Sequence, residues 1–411
     1  MGEKELLPNL FRAEYQKIVS VLIHLFGIHH IEVAEDIVSD TFLSAAELWV
    51  SGGIPDNPEA WLFTVARNKT RNYLKRHAHF EQKLVAELRN KQVFTEEVEI
   101  DLSVKNIADS QLAMIFTVCD PVISSDAQVS LALNLLCGFG VTEIAEAFLT
   151  NKEVIYKRIN RAKDKLKAHN IRIEQPSLPE LESRLGNVLK TLYLLFSEGY
   201  YSVCQDAVVR KDMCAEAMRL TYLLTEQEAT AKPEVFALLA LMCFHSSRFD
   251  ARVSEEGEAI LYAEQDEELW NAELISAGEH FLNKAAAGDL LSKYHLEAAI
   301  AYWHTKKADT PLKWQHILDL YEHLLSVDYS PIIALNGVYA LYKVSGAAIA
   351  ITAAEKLSLL KNHFYHSLLG TLYKATDREK AMTHFQTALS LANTEAERKI
   401  MLKHIGELHA A

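Results

Sequence analysis

Basic side chains that can bind phosphate groups are concentrated in two short segments of this 411-residue chain. Residues 61–91 contain eight Lys or Arg and two Glu, and residues 152–172 contain eight Lys or Arg and two acidic residues, so each segment has a net charge of +6. The whole chain carries −13 with its histidines neutral, so the remainder carries −25. Compact cationic segments in an acidic chain indicate local contact with an anionic polymer. The alternative is two solvated helix faces.

The first basic segment opens with the stretch WLFTVARNKTRNYLKRH from residue 61. On a helical wheel its apolar side chains share one side, which predicts an amphipathic helix. The other side presents Trp61, Thr64, Arg67, Asn68, Arg71, Asn72 and Lys75. Guanidinium and ammonium groups bind phosphates, amides hydrogen-bond to base edges, and an aromatic ring stacks on bases. This helix is therefore predicted to contact nucleic acid, although Trp61 taken alone fits a core anchor better than a base-stacking platform.

The second basic segment has the pattern of a helix-turn-helix. Thr142 is predicted to cap the short helix EIAEAFL, and Thr150 with Glu153 forms a predicted capping box for the basic helix that follows. In that helix a buried stripe is predicted at Ile155, Ile159, Ala162 and Leu166. The predicted DNA contacts are Lys152, Glu153, Tyr156, Lys157, Arg158, Asn160 and Arg161. A helical pair without DNA contact is the alternative.

An acidic helix is predicted over residues 31–50, before the first basic segment. Its polar positions are Glu32, Glu35, Asp36, Asp40 and Glu47, and it contains no Lys or Arg. Such a face repels itself, which fits docking on a positive partner surface, and a merely solvated face is an equally good interpretation. The following residues 51–58, SGGIPDNP, are dense in turn-forming types and predict a loop.

Taken in this order, the segments resemble the extracytoplasmic-function sigma factors of bacterial RNA polymerase. The resemblance is carried by AEDIVSDTF (34–42), WLFTVARN (61–68), and EIAEAFL with KRINRAKDKL (143–166). It implies that Glu35, Asp36 and Asp40 bind core RNA polymerase. It also implies that the 51–60 loop with Asn57 and the Trp61 helix read the −10 element of promoter DNA, and that the 151–165 helix reads the −35 element. Ser39-Asp40 departs from the usual Gln-Glu, and Asn72 stands where Asp is common.

The resemblance continues to sigma factors that bear a long tetratricopeptide-like C-terminal extension. It is carried by RLGNVLKTLYLLFSEGY (184–200), QDEELW (265–270) and SPIIALNGVYAL (330–341), among other stretches. It divides the chain into sigma region 2 (1–80), a linker (81–108), the region 4 helix-turn-helix (109–172) and the helical extension (176–411). The acidic residues Glu96, Glu97, Glu99 and Asp101 fit a linker that threads the polymerase channel and fit an ordinary tether equally well.

Composition favours an all-α protein throughout. Glycine and proline together make up about 6 % of the chain, half the usual share of about 12 %, which disfavours many-stranded β folds. Residues 378–392 place Ala381, Phe385 and Ala388 at the spacing with which one repeat helix nests on its neighbour. Periodicity near 34 residues is weak, so a helical array of degenerate repeats is predicted for the C-terminal half.

Catalysis, cofactor binding and membrane insertion find no support in the sequence. The chain has none of the common catalytic motifs, and no catalytic residue, metal or cofactor is predicted. His316 and His323 flank Asp319 but lie two turns apart, which fits surface histidines better than a metal site. Five scattered cysteines fit reduced thiols, and the charged N-terminus does not resemble a signal peptide. We expect a cytoplasmic protein without a membrane segment.

The leading hypothesis is a transcription initiation factor that binds core polymerase, reads promoter DNA and is regulated by its helical extension, where a peptide or a small molecule acts as the signal. One alternative is a ligand-sensing helix-turn-helix regulator that works without polymerase. Another is a peptide-binding scaffold whose basic helices are incidental. The acidic helix distinguishes them, because only the first hypothesis gives it a partner.

Overall fold

The computed structural model describes residues 3–77, 100–148, 150–174, 176–201, 207–252, 260–288, 291–392 and 394–410. Within these ranges the chain forms 18 α-helices, three short 3-10 helices and no β-strand, which confirms the all-α prediction. The chain divides into two compact units, Met1–Thr230 and Ala231–Ala411. None of the described helices combines the length and the apolar character needed to cross a membrane.

The first unit begins with α1 (Glu3–Phe26), α2 (Ile31–Gly52) and α3 (Pro58–His77). Gly27 ends α1 with a φ of 85°, a conformation that favours glycine. The loop after α2 is shorter than predicted, because α2 continues to Gly52 before Gly53 turns the chain at a φ of 79°. Helix α1 packs against α2 and α3 on one side and against the next helix of the chain, α4 (Val104–Val118), on another. It is therefore the central helix of this unit.

Helices α5 (Ser125–Leu135), α6 (Val141–Ala147) and α7 (Lys152–Ala168) form the predicted helix-turn-helix region, with both α5 and α6 packed on α7. The predicted caps are wrong in detail. Helix α6 begins before Thr142, and the Gly140 N–H at its start donates to the Glu143 carboxylate over 2.8 Å. Asn151 rather than Thr150 caps α7, since Asn151 directly precedes the helix and its side chain accepts the Glu153 N–H at 2.8 Å.

The first two helices of the predicted extension, α8 (Leu178–Tyr201) and α9 (Ala207–Thr225), belong to the first unit. Helix α8 packs on α4 and α5, and α9 packs on α4 and α6. The boundary between the compact units therefore follows residue 230, whereas the predicted extension begins at residue 176. The difference arises because α8 and α9 bury their apolar faces on the helix-turn-helix region.

The second unit is a succession of nine helices among its described residues. They are α10 (Pro233–Ser246), α11 (Ala272–Ala285), α12 (Lys293–His304), α13 (Pro311–Val327), α14 (Pro331–Ser345), α15 (Ala347–Leu357), α16 (His363–Tyr373), α17 (Arg378–Leu391) and α18 (Glu395–Ala410). Each packs on the next, as in stacked helical arrays. Two 3-10 helices, Tyr262–Glu264 and Glu267–Leu269, lie between α10 and α11.

Small residues let neighbouring helices of the second unit approach closely. A Cβ atom at Gly370 of α16 would lie 2.8 Å from the Phe385 ring of α17. A Cβ atom at Gly278 of α11 would lie 2.6 Å from the Phe244 ring of α10. The predicted nesting residues Ala381, Phe385 and Ala388 are all fully buried. Nesting of large rings on glycine therefore recurs at two helix pairs.

Candidate nucleic-acid interface

The predicted DNA-reading face of α7 is open to solvent. Ile155, Ile159, Ala162 and Leu166 form the predicted buried stripe. On the other side Lys152, Glu153, Tyr156, Lys157 and Arg161 are exposed, and Asn160 is half-buried. Lys157, Arg158 and Arg161 also line a cleft of about 380 Å³ between α7 and the start of α5. A cationic surface next to a concave groove can hold a phosphate backbone.

Arg158 differs from its neighbours because it also braces the helix-turn-helix. Its Nη1 atom donates to the Ser130 hydroxyl of α5 over 3.3 Å, and the side chain is half-buried. Its charge opposes the effect of burial on Glu198 of α8, where burial and nearby Asp126 still raise the pKa of that carboxyl. The guanidinium therefore lies at the junction of α5, α7 and α8.

The predicted polar face of α3 divides into exposed and locally bonded residues. Asn68, Asn72 and Lys75 are exposed, and Arg71 is half-buried. Arg67 donates from Nε to the Ile100 carbonyl over 3.2 Å, so it holds the chain where it enters α4. The exposed amides and the Lys75 ammonium remain available for a ligand.

Asn57 and Trp61 have structural roles at the start of α3. The Asn57 side chain accepts the Ala60 N–H at 3.0 Å, as an N-cap does. The Trp61 ring meets the Trp49 ring of α2 edge to face, with 5.3 Å between centroids, and is half-buried. The predicted loop 51–60 is thus fixed at both ends by its neighbouring helices.

The acidic face of α2 is partly covered by the helix-turn-helix itself. Asp36 and Asp40 are exposed. Glu35, however, accepts two hydrogen bonds from the Lys163 ammonium of α7, at 2.7 and 2.8 Å, and Glu32 pairs with Lys167 at 2.5 Å. The Lys163 side chain is only 8 % exposed and that of Glu35 19 %. The basic helix therefore neutralises two of the five acidic residues on the face that we predicted to meet a partner, Glu32 and Glu35.

Charge and burial both affect the pKa of Glu32, which pairs with Lys167. Partial burial of Glu32 raises the pKa of its carboxyl, but the hydrogen bond and charge of Lys167 outweigh this effect and place the pKa below its usual value. A second contact reinforces it, since the His29 ring lies 2.9 Å from the Asn170 side-chain oxygen after α7. A third joins His24 of α1 to Ser110 of α4 at 3.0 Å. The first three helices and the helix-turn-helix region are held together at several points.

Arg219 of α9 joins both regions to the first part of the extension. Its Nη2 atom donates to the Gln16 side chain of α1 over 2.5 Å and to the Leu136 carbonyl after α5 over 2.9 Å. Helix α8 adds Arg184, which pairs with Asp120 at 3.0 Å, and Thr191, which donates to Gln128 over 2.8 Å. Helices α8 and α9 therefore fasten the first three helices and the helix-turn-helix region in one arrangement.

Sequence reasoning missed Lys163, Lys167 and Arg219. Charge alone assigns Lys163 and Lys167 to a basic surface. On a helical wheel, however, Lys163 lies beside the buried stripe, because it follows Ala162 directly and stands three residues before Leu166. That position is a detectable signal. No local pattern marks Arg219, because its partners lie 203 and 83 residues away.

The acidic linker residues Glu96, Glu97 and Glu99 lie outside the described residues, whereas Asp101 is described and accepts the Ser103 N–H at 2.8 Å. His316 of α13 stacks on the Trp303 ring at 4.7 Å. In the described part of the chain, no three side chains of metal-ligating type gather closely enough to hold an ion.

Family models match two parts of the chain. Residues 10–80, which span most of α1 and all of α2 and α3, match sigma-70 region 2. Residues 184–286 match a family of unknown function, DUF6596, and extend from α8 to the end of α11. The first match coincides with the predicted region 2, and the second covers the fastening helices α8 and α9.

Two relatives are similar to the chain. An uncharacterized protein of Rhizobium meliloti is 31 % identical over 390 residues, which cover 93 % of this chain and 91 % of the relative. The RNA polymerase sigma factor YlaC of Bacillus subtilis is 28 % identical over 81 residues, which cover 20 % of this chain and 46 % of YlaC. No solved structure matches the chain significantly.

Proposed function

Since the chain belongs to the family of the Rhizobium meliloti protein and contains sigma-70 region 2, we infer that it is a sigma factor of the extracytoplasmic-function type that directs core RNA polymerase to promoters. The observation that carries this proposal is the match of α1–α3 to sigma-70 region 2, in a chain whose next helical group is a basic helix-turn-helix. The chain itself performs no chemistry in this role. It supplies binding surfaces to an enzyme that does.

Core polymerase binds the acidic face of α2 in this proposal. Asp36 and Asp40 are exposed and form the part of that face that is ready for a basic partner. Leu43 and Leu48, 57 % and 55 % exposed, follow on the same helix and add apolar area. Glu35 joins the interface only when Lys163 releases it. Binding of polymerase and opening of the α2–α7 contact are therefore coupled.

Promoter DNA is read by two separate helices. Helix α3 contacts the −10 element through Asn68, Asn72 and Lys75. Arg71 and the Trp61 ring contribute to the same contact. Helix α7 reads the −35 element by base-edge and phosphate contacts from Lys152, Glu153, Tyr156, Lys157, Asn160 and Arg161. Arg67, Arg158 and Asn57 act mainly by positioning these helices, because each already has a partner within the protein.

The helical extension regulates the sigma regions, and two features support this part of the proposal. Helices α8 and α9 bond to both regions through Arg184, Thr191 and Arg219. Helices α10–α18 stack in sequence with glycine–ring nesting, as expected of a tetratricopeptide-like array. The extension thus stabilises the arrangement in which Lys163 covers Glu35. A signal on the array would act by loosening α8 and α9.

In vitro transcription from a cognate promoter tests whether α7 reads promoter DNA separately from the surface that binds polymerase. Replacing the exposed pair Lys157→Ala and Arg161→Ala should abolish promoter-specific transcripts while leaving co-elution with core polymerase intact. Lys190→Ala, an exposed lysine of α8, is the control and should leave transcription unchanged. Unchanged promoter use by the double variant would contradict the assignment of α7. Failure of the intact chain to bind core polymerase would favour a regulator that works alone.

A further inference from the structure

Three cations converge on one tyrosine ring in the second unit. The Tyr262 centroid lies 5.3 Å from the Arg248 guanidinium carbon, 5.5 Å from the Lys307 ammonium and 5.2 Å from the Lys313 ammonium. Arg248 also lies 5.9 Å from the Trp270 ring centroid. The cations come from the end of α10, the loop after α12 and the start of α13. The sequence distributes them over 66 positions, so no basic run announces the cluster.

These three cations have no acidic partner among the described residues. Lys307 donates to the carbonyls of Tyr262 and Gln265, and Lys313 donates to the Tyr262 hydroxyl and the Lys306 carbonyl. The nearby Asp309 is already paired with Lys343 at 2.6 Å. Glu267, the other acid close to Tyr262, lies on an exposed 3-10 helix. In the part of the chain that the structure describes, Asp309 attracts Lys313 but is shared with Lys343, so the cluster keeps a net positive charge there.

Two of the three cations are buried, which makes the absence of a paired anion costly. Arg248 is 8 % exposed and Lys313 2 %. Buried charges in proteins are normally paired, because removing an ion from water is unfavourable. Three nitrogen atoms of this neighbourhood are also buried without a hydrogen-bond partner: Nε of Arg248, Nε1 of Trp270 and Nδ1 of His304. The His304 ring contacts Tyr262 edge to face at 5.2 Å.

Protonation in this neighbourhood follows the same electrostatics. Burial and the charges of Arg248, Lys343 and Lys307 outweigh the attraction of Asp309 and lower the pKa of Lys313 to about 8. Burial, with Arg248 and Lys313, lowers the pKa of His304 to about 3. The surroundings therefore favour the neutral forms of Lys313 and His304, whereas Arg248 keeps its positive charge.

We propose that Arg248, Lys307 and Lys313, grouped around Tyr262 and Trp270, form a binding site for a phosphate group carried by a small molecule. This site lies among residues that the comparisons leave without a function. Binding is a property of the chain alone, so it does not depend on the proposed role in transcription.

A phosphate group fits the cluster better than a carboxylate does. Phosphate carries a charge between −1 and −2 near neutral pH and offers several acceptor oxygens, which suits two or three cations. A single carboxylate would leave two of the three cations uncompensated, whereas a dianionic phosphate would leave one. Guanidinium groups hold such oxyanions through paired hydrogen bonds, and the unpartnered Arg248 Nε is a donor of this kind.

The test titrates inorganic phosphate into the full chain at low millimolar concentration, with chloride and acetate at matched ionic strength, and follows the thermal unfolding midpoint and the binding heat. Phosphate should raise the midpoint by several degrees and saturate, and acetate should not. Arg248→Met should abolish the response and, without phosphate, should unfold at the same temperature as the wild type or higher, since it removes a buried charge. Lys374→Met, an exposed lysine paired with Glu407, should keep the full response.

Lys307→Met provides a second variant, because this half-buried lysine is less integral to the packing. It should weaken phosphate binding at least tenfold while the chain remains folded. An equal response to phosphate and acetate would overturn the proposed ligand class. The absence of any saturable phosphate response, or a full response in Arg248→Met, would overturn the site.

Discussion

The Lys163 ammonium of α7 lies 2.7 Å from the Glu35 carboxylate of α2, a pair that joins the basic helix predicted to read DNA to the acidic helix predicted to bind polymerase. The two residues are 128 positions apart and both are largely shielded from water. Lys163 therefore covers part of the surface that α2 is proposed to offer to polymerase. In the free chain Lys157 and Arg161 are exposed to solvent, whereas Glu35 is partly covered.

Replacing Lys163 with Met should free Glu35 and weaken the contact between α2 and α7. Methionine keeps most of the apolar packing of the lysine stem, so the main loss is the ion pair with its hydrogen bonds. Removal of one partner of a shielded pair costs about 1–3 kcal/mol. A shift of about 1.4 kcal/mol toward the open form would strengthen binding to core polymerase about tenfold. Fluorescence anisotropy with labelled chain measures that affinity.

Lys165→Met is the matched control, because it removes the same charge from an exposed position on the same helix. It should leave affinity for core polymerase unchanged in the absence of DNA. Equal affinities of Lys163→Met and Lys165→Met would show that the pair does not restrain the acidic face.

Arg219→Ala should loosen the same arrangement from the side of the extension. The change removes hydrogen bonds to Gln16 and to the Leu136 carbonyl, and a hydrogen bond from a charged donor contributes about 1.5–3 kcal/mol. We expect faster hydrogen exchange in α1 and α5 and tighter binding to core polymerase. Lys190→Ala on α8 should change neither. Exchange rates that match the wild type in both helices would refute the fastening role.

Gly370→Ala tests the nesting of the helical array. The added Cβ atom would lie 2.8 Å from the Phe385 ring, so the ring must shift, and overpacking of this kind costs about 1–3 kcal/mol. Gly406→Ala in α18 has nothing within 4 Å of its new Cβ and should stabilise the helix by about 0.5–1 kcal/mol. Urea unfolding measures both changes. A Gly370→Ala variant that is as stable as the wild type or more stable would contradict the close approach of α16 and α17.

Acid should destabilise the chain through His304. Its folded pKa of about 3 lies below the usual 6.5, so between these values the unfolded chain binds a proton that the folded chain does not. Stability contributed by the neutral ring is therefore present above pH 6.5 and is lost as the pH falls toward 3. At pH 4.5 this loss reaches about 2–3 kcal/mol. Burial lowers the pKa of His245 as well, so it adds to the loss.

His304→Phe isolates the effect of one ring. Between pH 7.5 and 4.5 the variant should lose about 2–3 kcal/mol less unfolding free energy than the wild type. His323→Phe, at an exposed position of α13, should follow the wild type. Parallel losses in wild type and His304→Phe would show that this histidine is not a source of acid lability.

Local periodicity predicted the helices well and their long-range partners poorly. The buried stripe of α7, for example, lies at the four positions that the apolar spacing predicts. In α1, however, Gln16 and Ser20 are 3 % and 0 % exposed although their polar types predict a solvent face. Gln16 meets Arg219 of α9, and α4 also packs on α1, and no pattern within α1 reveals either neighbour.

The candidate site also contains some features that the sequence predicts and others that it does not. Exposure of Lys157, Arg161, Asn68 and Asn72 could be predicted, because amphipathic helices place such residues opposite their apolar stripe. The binding of Arg67 to the Ile100 carbonyl could not, since that pair forms only after the chain has passed through residues 78–99. A hydrogen bond of this kind depends on tertiary geometry, which no local pattern in the sequence reveals.

Gel filtration of the full chain with purified core RNA polymerase, followed by transcription from a cognate promoter, tests the central claim most directly. The account predicts that the chain co-elutes with the enzyme and that transcripts start at one promoter only when both are present. A chain that elutes separately from the enzyme and adds no promoter-specific transcript would contradict its assignment as a sigma factor.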